Sequence, residues 1–332
     1  MTSYRDRRVL VIGGFGYLGG NLTAHLHGLG ARVTVVTRSV TGRSDSVGDC
    51  ERRGIAVVEG DLRDQRAMGE AVEGQEIVFN LAGQSGAVQS LEDPWTDLDV
   101  NVRGNLVLLE ALRLVNPAAK VIFVGSRLAY GRAGSQPVSE DHATDPLCLH
   151  AIHKLTVEAY LELYGKLFGL RFAVARVTNP YGPGQPADRT AYGVVNRMVH
   201  VALQNGVVTV YGDGAQRRDY VYVDDVSRAL ARLGEADAST GRVYNVGTGI
   251  GTRLVDMANR IVELAGRGRV ESVAWPALAE QIETGDFVAD ISRIERDVEW
   301  RPRVSLDEGL SRTIGHYLGR RVEASSVANV ES

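Results

Sequence analysis

Gly13-Gly14-Phe15-Gly16-Tyr17-Leu18-Gly19-Gly20 follows directly on the apolar run Val9 to Ile12. A buried strand that breaks into glycines ahead of a helical pattern delivers the backbone to a tight turn. Gly13, Gly16 and Gly19 then leave room for a pyrophosphate to approach the main chain. The helix behind the turn aims free N–H groups and its positive dipole end at the phosphates. The same glycines also suit close packing of a helix on a strand. A second group is His150-Ala151-Ile152-His153-Lys154. Residues four apart share a helix face, so His150 and Lys154 present side chains to one place. Ser126, Asn179 and Arg218 form a third group, at strand ends and in loops. Arg218 can give two parallel hydrogen bonds to phosphate oxygens, or pair with Asp213 or Asp219. Asn179, beside Pro180 and Gly182, also suits an Asx-type turn.

These groups must be positioned by alternating elements. Strands are expected at Arg8–Ile12, Arg32–Val36, 55–62, Glu76–Leu81, Lys120–Val124 and Arg171–Arg176. Helices are expected from Asn21 to Leu29, Gln65 to Val72, Asp97 to Val115 and His150 to Phe168, with a polar segment from Val40 to Arg53. That alternation makes a parallel, doubly wound α/β sheet the natural architecture. In such a unit an acidic residue at the end of the second strand binds a ribose 2′-hydroxyl. Arg38 stands there instead and favours a 2′-phosphate, hence NADP. The alternative is a solvated Arg38, with a neighbouring group at the ribose. Ala82 and Gly83, at the edge of the fourth strand, allow a cofactor to come close. Beyond residue 180 the alternation loosens, with strands at Val207–Val210 and Val243–Val246 and helices from Leu254 and Leu306.

Composition excludes several classes. A net charge of -4 over 332 residues gives no bulk attraction to nucleic acid or to an anionic membrane. Cys50 and Cys148 are the only cysteines and lack metal-type spacing, so free thiols and no metal are expected. The chain runs into its first strand without an apolar leader, and no stretch approaches a membrane span, which points to a cytoplasmic protein.

Taken in order, these motifs resemble the extended short-chain dehydrogenase/reductase family, in its nucleotide-sugar epimerase and dehydratase branch. The resemblance runs from about Arg8 to Leu318 and rests on Gly13 to Gly19, Gly60-Asp61-Leu62, Leu81-Ala82-Gly83-Gln84-Ser85, Ser126 four residues before Tyr130-Gly131, Asn179 to Pro183, and Tyr211-Gly212-Asp213-Gly214 followed by Arg218-Asp219. It implies a Rossmann-type dinucleotide domain over residues 1–178, to which some later segments return. A smaller nucleotide-sugar domain over 179–320 and a disordered tail over 321–332 complete it. Gly13, Gly16, Tyr17, Leu18, Gly19, Asp61, Leu62, Leu81, Ala82, Gly83 and Lys154 would hold NAD or, with Arg38, NADP. Ser85, Asn179, Arg218 and Glu283 would face a UDP-, GDP- or dTDP-hexose. The resemblance also implies a homodimer through the helices at Asp97–Val115 and His150–Phe168.

The family places three groups beside the nicotinamide: a Ser or Thr that orients a sugar hydroxyl, a Tyr that takes its proton, and a Lys four residues on. Ser126 and Lys154 match the first and third, and His150 stands where the Tyr belongs. A phenol must fall by about three pKa units to act as a base at neutral pH, whereas imidazole, near 6.5, need not. Its nitrogen lies roughly 2 Å short of a tyrosine oxygen, a misplacement that can cost 10²-fold. His150 as the base, His153 or Tyr130 in its stead, or a helix-start role without turnover all remain open. The 4,6-dehydratases of the family carry Asp-Glu after the Ser or Thr, where this chain has Arg127-Leu128, so classical dehydration is not expected. Glu283 stands where many members have Arg, which suits hydroxyl recognition or a solvated loop. The leading expectation is an NAD(P)-dependent nucleotide-sugar epimerase acting at C4. A 4-ketosugar reductase and a non-catalytic NAD(P)-binding or sensor protein are the alternatives.

Overall fold

The computed structural model describes residues 4–185 and 193–328, with side chains to 319; of the tail expected to be disordered over 321–332, residues 321–328 continue the C-terminal helix and 329–332 lie outside the described residues. The chain begins with β1 (Arg8–Ile12), α1 (Tyr17–Gly28), β2 (Arg32–Thr37), α2 (Ser44–Arg52), β3 (Ala56–Glu59), α3 (Gln65–Val72) and β4 (Ile77–Asn80). Next come α4 (Ala87–Glu92), α5 (Pro94–Leu98), a widened helical turn at Asp99–Arg103, α6 (Gly104–Val115), β5 (Lys120–Ser126), α7 (Leu149–Phe168) and β6 (Arg171–Val177). The later part adds β7 (Asn179–Tyr181), α8 (Val194–Leu203), β8 (Val207–Tyr211), β9 (Arg217–Tyr222), α9 (Val223–Glu235) and β10 (Arg242–Val246). It closes with β11 (Gly251–Arg253), α10 (Leu254–Ala265), β12 (Arg269–Val273), α11 (Ala277–Gln281), α12 (Ser292–Val298) and α13 (Leu306–Ala328).

Seven strands form one parallel sheet in the order β10-β6-β5-β4-β1-β2-β3. Apolar cores cover both faces. One joins Val9 and Val11 to α1 and α9, and the other joins Leu10 and Ile12 to α3, α6 and α7. Two-sided burial explains why these strands read as unbroken apolar runs. The order reverses between β1 and β4, which makes their C-terminal ends the crevice where such sheets take ligands. A third core unites α8, α10 and α13 with β8 and β9, beside the small sheets β11-β9-β7 and β12-β8.

Three local outcomes differ from the sequence pattern. Helix α1 starts at Tyr17 rather than Asn21, with Gly16 as its N-cap, because Gly19 and Gly20 are kept for packing although glycine lowers helix propensity. The polar segment at 40–53 contains α2, which buries only Cys50 and so shows little apolar periodicity. The helix expected over Asp97–Val115 is built as α5, the widened turn and α6.

Gly19 is the tightest joint of this architecture, since a Cβ there would lie 2.1 Å from the Gly13 carbonyl oxygen. Gly28, in the same helix, has nothing within 4 Å of a built Cβ. In urea denaturation Gly19→Ala should cost about 3 kcal/mol or more, whereas Gly28→Ala should be neutral or stabilise by about 0.5 kcal/mol. Equal effects would contradict the packing account.

Candidate active site

At the switch point the glycine turn serves both packing and an open helix end. Gly13 sits at φ +83°, and a Cβ on it would meet the Ala82 nitrogen at 2.9 Å. The backbones after β1 and β4 are therefore pressed together, bringing Gly13, Leu81 and Ala82 to one place. Helix α1 has no side-chain cap and no acidic residue in its first turn, so its N-terminal N–H groups remain for an external anion. Leu18 packs on the core and the Tyr17 hydroxyl is buried, so these two can offer only backbone to a phosphate. A Cβ on Gly83 would lie 2.6 Å from the Asn101 side-chain oxygen and 3.6 Å from Lys154 Nζ. A pyrophosphate and its neighbouring ribose fit this uncapped, glycine-lined edge.

At the other end of the crevice Arg38 is exposed just past β2. Arg43, not singled out in the sequence, donates to the Phe15 carbonyl at 2.9 Å and lies over the Phe15 ring. Asp61 is gripped by Arg63 at 2.6 and 2.8 Å, and that bonding holds its carboxyl down at about 2. Arg63 also bridges to Asp99 at 2.6 Å. Leu62 is buried beneath Gly104.

Ser126 ends β5, and its hydroxyl accepts a hydrogen bond from Leu128 N at 3.2 Å. Lys154, one turn into α7, reaches back to donate to the Val124 carbonyl at 3.0 Å and lies over the Phe123 ring. Burial pushes its ammonium down to about 8, against the pull of Asp97 and Glu158. His150 lies in the first turn of α7, where its backbone N–H donates to Ser90 Oγ of α4 at 3.0 Å. The chain thus gathers Ser126, Lys154 and the start of α7 around the end of β5.

Asp97 of α5 was not singled out in the sequence, where it reads as one more acid at a helix start. It is fully buried, and one carboxylate oxygen is 2.5 Å from His153 Nδ1. Its other oxygen lies 3.9 Å from His150 Nδ1. Both of those atoms are buried without a hydrogen-bond partner. They face each other just beyond bonding distance. Burial opposes ionisation of Asp97, but its contacts with His150, His153 and Asn101 outweigh it and hold the carboxyl below the usual range. Burial in turn pushes His150 below the ordinary imidazole value; Asp97 and the Gln84 backbone carbonyl work against that shift and Lys154 adds to it. A neutral ring backed by a carboxylate is a proton acceptor.

The other candidate bases are otherwise engaged. Tyr130 has 0% exposure, donates to Asn245 Oδ1 at 2.8 Å and stacks on Phe287. Burial pushes its phenol up to about 12, so it is a packing residue. His153 is tied to Asp97 through Nδ1.

On the substrate side, Asn179 donates to the Asp219 carbonyl at 2.9 Å, and Ser85 lies half-buried in the loop between β4 and α4. Arg218 pairs with neither Asp213 nor Asp219. It binds Glu283 and the Gly285 carbonyl, so the carboxylate of Glu283 is engaged and not a solvated loop charge. Arg127, noted in the sequence only for what it replaces, turns inward toward Asn179 and Thr284. Among the described residues no group of three His, Cys, Asp or Glu could hold a metal ion, and no helix is long and apolar enough to cross a membrane.

A sequence model of the NAD dependent epimerase/dehydratase family matches residues 9–247. A UDP-glucose 4-epimerase of Mycolicibacterium smegmatis is 31% identical over 93% of this chain and 98% of its own length. A UDP-N-acetyl-alpha-D-glucosaminuronate decarboxylase of Bacillus cytotoxicus is 30% identical over 93% of this chain and 97% of its own. The crystal structure of a Thermus thermophilus UDP-glucose 4-epimerase complex with NAD superposes with a TM-score of 0.84 at 31% identity, covering 94% of this chain and 99% of that one.

Proposed function

The chain belongs to the NAD dependent epimerase/dehydratase family, and from that premise we propose that it is a nucleotide-sugar epimerase acting at C4, with His150 in the proton-transfer role. Two relatives of nearly equal identity act on UDP-sugars, by epimerisation and by decarboxylation. The observation that carries the assignment of His150 is its buried Nδ1 facing the Asp97 carboxylate. With Nδ1–H directed at Asp97, Nε2 keeps the lone pair and is the nitrogen that meets substrate.

Ser126 orients the reacting hydroxyl and His150 takes its proton. Lys154 would hydrogen-bond the ribose of a bound cofactor, and its charge favours the neutral imidazole until the sugar proton arrives. Gly83 and Lys154 would hold a nicotinamide cofactor, which when bound would supply reversible hydride transfer to and from the sugar carbon. His150 then returns the proton to the oxygen of the inverted carbon, and no external reductant is consumed. Asn179 and Arg218 face the diphosphate, which displaces Glu283 from the Arg218 guanidinium. Arg38, just past β2, with Arg43 ahead of α2, favours a 2′-phosphate, hence NADP over NAD.

The pH profile follows from the two shifts. A depressed imidazole pKa leaves the base form present below the ordinary value of about 6.5, so kcat/KM falls only as pH drops through that lower value. The alkaline limb should lie near 8, where Lys154 loses its charge. Assayed with C4-epimeric UDP-hexose pairs and either cofactor, the protein should turn over without added reductant, faster with NADP. His150→Phe should lose about 10²-fold or more in kcat. Near-full turnover by that variant would remove His150 from the chemistry. Stoichiometric NADPH consumption would make the protein a reductase.

The quaternary state is a homodimer built on α5, α6 and α7. Trp95 and Leu98 on α5, Leu106 on α6, and Ile152, Leu163 and Leu167 on α7 are exposed apolar residues. The three on α7 share one face, and a single chain leaves them in water. Light scattering after size exclusion should give twice the chain mass, falling to one chain mass in Leu163→Glu/Leu167→Glu. A wild-type monomer at micromolar concentration would contradict the dimer.

A further inference from the structure

Among the described residues, the substrate cleft holds a buried cation without a paired anion. Arg127 follows Ser126 directly and is 8% exposed. Its Nε donates to Asn179 Oδ1 at 3.3 Å and its Nη1 to Thr284 Oγ1 at 2.9 Å, and the guanidinium lies over the Phe287 ring. All three partners are neutral. The nearby carboxylates are spent elsewhere. Glu283 pairs with Arg218 and accepts from Gly285 N, while Asp219 accepts from Thr248, Gly249 and Ala289.

Arg176 shows what the same fold does with a structural guanidinium. It is 6% exposed and meets the Glu158 carboxylate through Nε at 3.1 and 3.2 Å and Nη2 at 2.6 Å. Burying a charge is costly unless it is paired. Burial, with Arg218 adding to it, pushes Arg127 down to about 9, against the attraction of Glu283.

We propose that Arg127 is an oxyanion-binding residue of the substrate site and that the oxyanion belongs to the nucleotide sugar, as a sugar carboxylate or a phosphoryl oxygen. This rests on the nucleotide-sugar assignment above and narrows its substrate class. Arg127 follows Ser126, the group assigned to the reacting hydroxyl, and bonds Asn179, the group assigned to the diphosphate; of the two oxyanions the sugar carboxylate, and therefore a uronate-type substrate, is the one tested first. A planar guanidinium matches a carboxylate with two parallel bonds, a geometry that lysine cannot reproduce. Relatives 31% and 30% identical act on a neutral and on an acidic sugar, so overall identity does not choose between them.

The test is calorimetric titration of wild type, Arg127→Met and Arg127→Lys with UDP, UDP-glucose and UDP-glucuronate. Wild type should bind UDP-glucuronate at least tenfold more tightly than UDP-glucose. Arg127→Met should erase that difference while leaving UDP affinity unchanged, and Arg127→Lys should keep only part of it. Weakening of all three ligands by Arg127→Met assigns the oxyanion to the diphosphate and equally supports the proposal. Wild-type affinity of Arg127→Met for all three overturns it and leaves the epimerase assignment standing. If wild type binds none of the three, nor their dTDP and GDP counterparts, both fall. The apo melting temperature of Arg127→Met should not drop, because the variant removes an unpaired buried charge; a purely structural arginine would lower it. Should Arg127→Met fail to fold, Arg127→Lys carries the comparison, and an unchanged uronate preference in it overturns the proposal.

Discussion

A carboxylate with no solvent contact is tolerated only where donors surround it, and Asp97 is such a group, set between two imidazoles of α7. That constraint ties α5 to the first turns of α7 and fixes where His150 and His153 can point. Lys154, one turn further along, anchors the same helix to β5 through the Val124 carbonyl. The start of α7 is thus held on both sides, by Asp97 from the helical layer and by the sheet through Lys154. A proton-transfer group needs placement to within a fraction of an ångström, and these two attachments are what the role proposed for His150 would require.

In the proposed mechanism the same arrangement lets a histidine take the role that the resemblance assigns to a tyrosine. A phenol must be made more acidic by surrounding positive charge before it can accept a proton at neutral pH. An imidazole needs only to be kept neutral and in the right tautomer. Burial and Lys154 favour the neutral form, and the Asp97 carboxylate favours a proton on Nδ1. On the proposed mechanism the lysine and the serine keep their places while the task of the lysine changes, from lowering a phenol pKa to discouraging an imidazolium. In the substrate half, Arg127 and Arg218 share the loop region of Thr284, and among the described residues Glu283 is the only carboxylate paired to either. That excess of positive charge suits a dianionic diphosphate or an acidic sugar better than a neutral surface would.

Much of the fold was legible because burial on both sheet faces writes itself as apolar runs such as Val9 to Ile12 and Val121 to Val124. The glycine turn was legible for a related reason, since Gly13 and Gly19 stand where no Cβ fits. The start of α1 was not, because glycines that serve packing look like helix breakers. Arg127 went unrecognised as a buried cation without a paired anion because the sequence offers only its type; that its partners are neutral is a tertiary fact. Asp97 was hidden the same way, 53 positions before His150 and in a stretch where acids ordinarily cap helices. The pairing of Glu283 with Arg218, between residues 65 apart, left no trace in local pattern. What spacing along the chain could reveal was the list of polar groups, and what it could not reveal was which of them neutralise one another.

The central claim is that burial and Lys154 hold the His150 ring neutral while Asp97 directs its proton to Nδ1, leaving Nε2 free to accept. Nitrogen-15 NMR of histidine-labelled protein, with His150 assigned by comparison with His150→Phe, measures this directly. The account predicts a pyridine-type Nε2 and a protonated Nδ1 at pH 7, with titration of the ring below about pH 6.5. A cationic ring at pH 7, or a neutral ring protonated on Nε2, would contradict it.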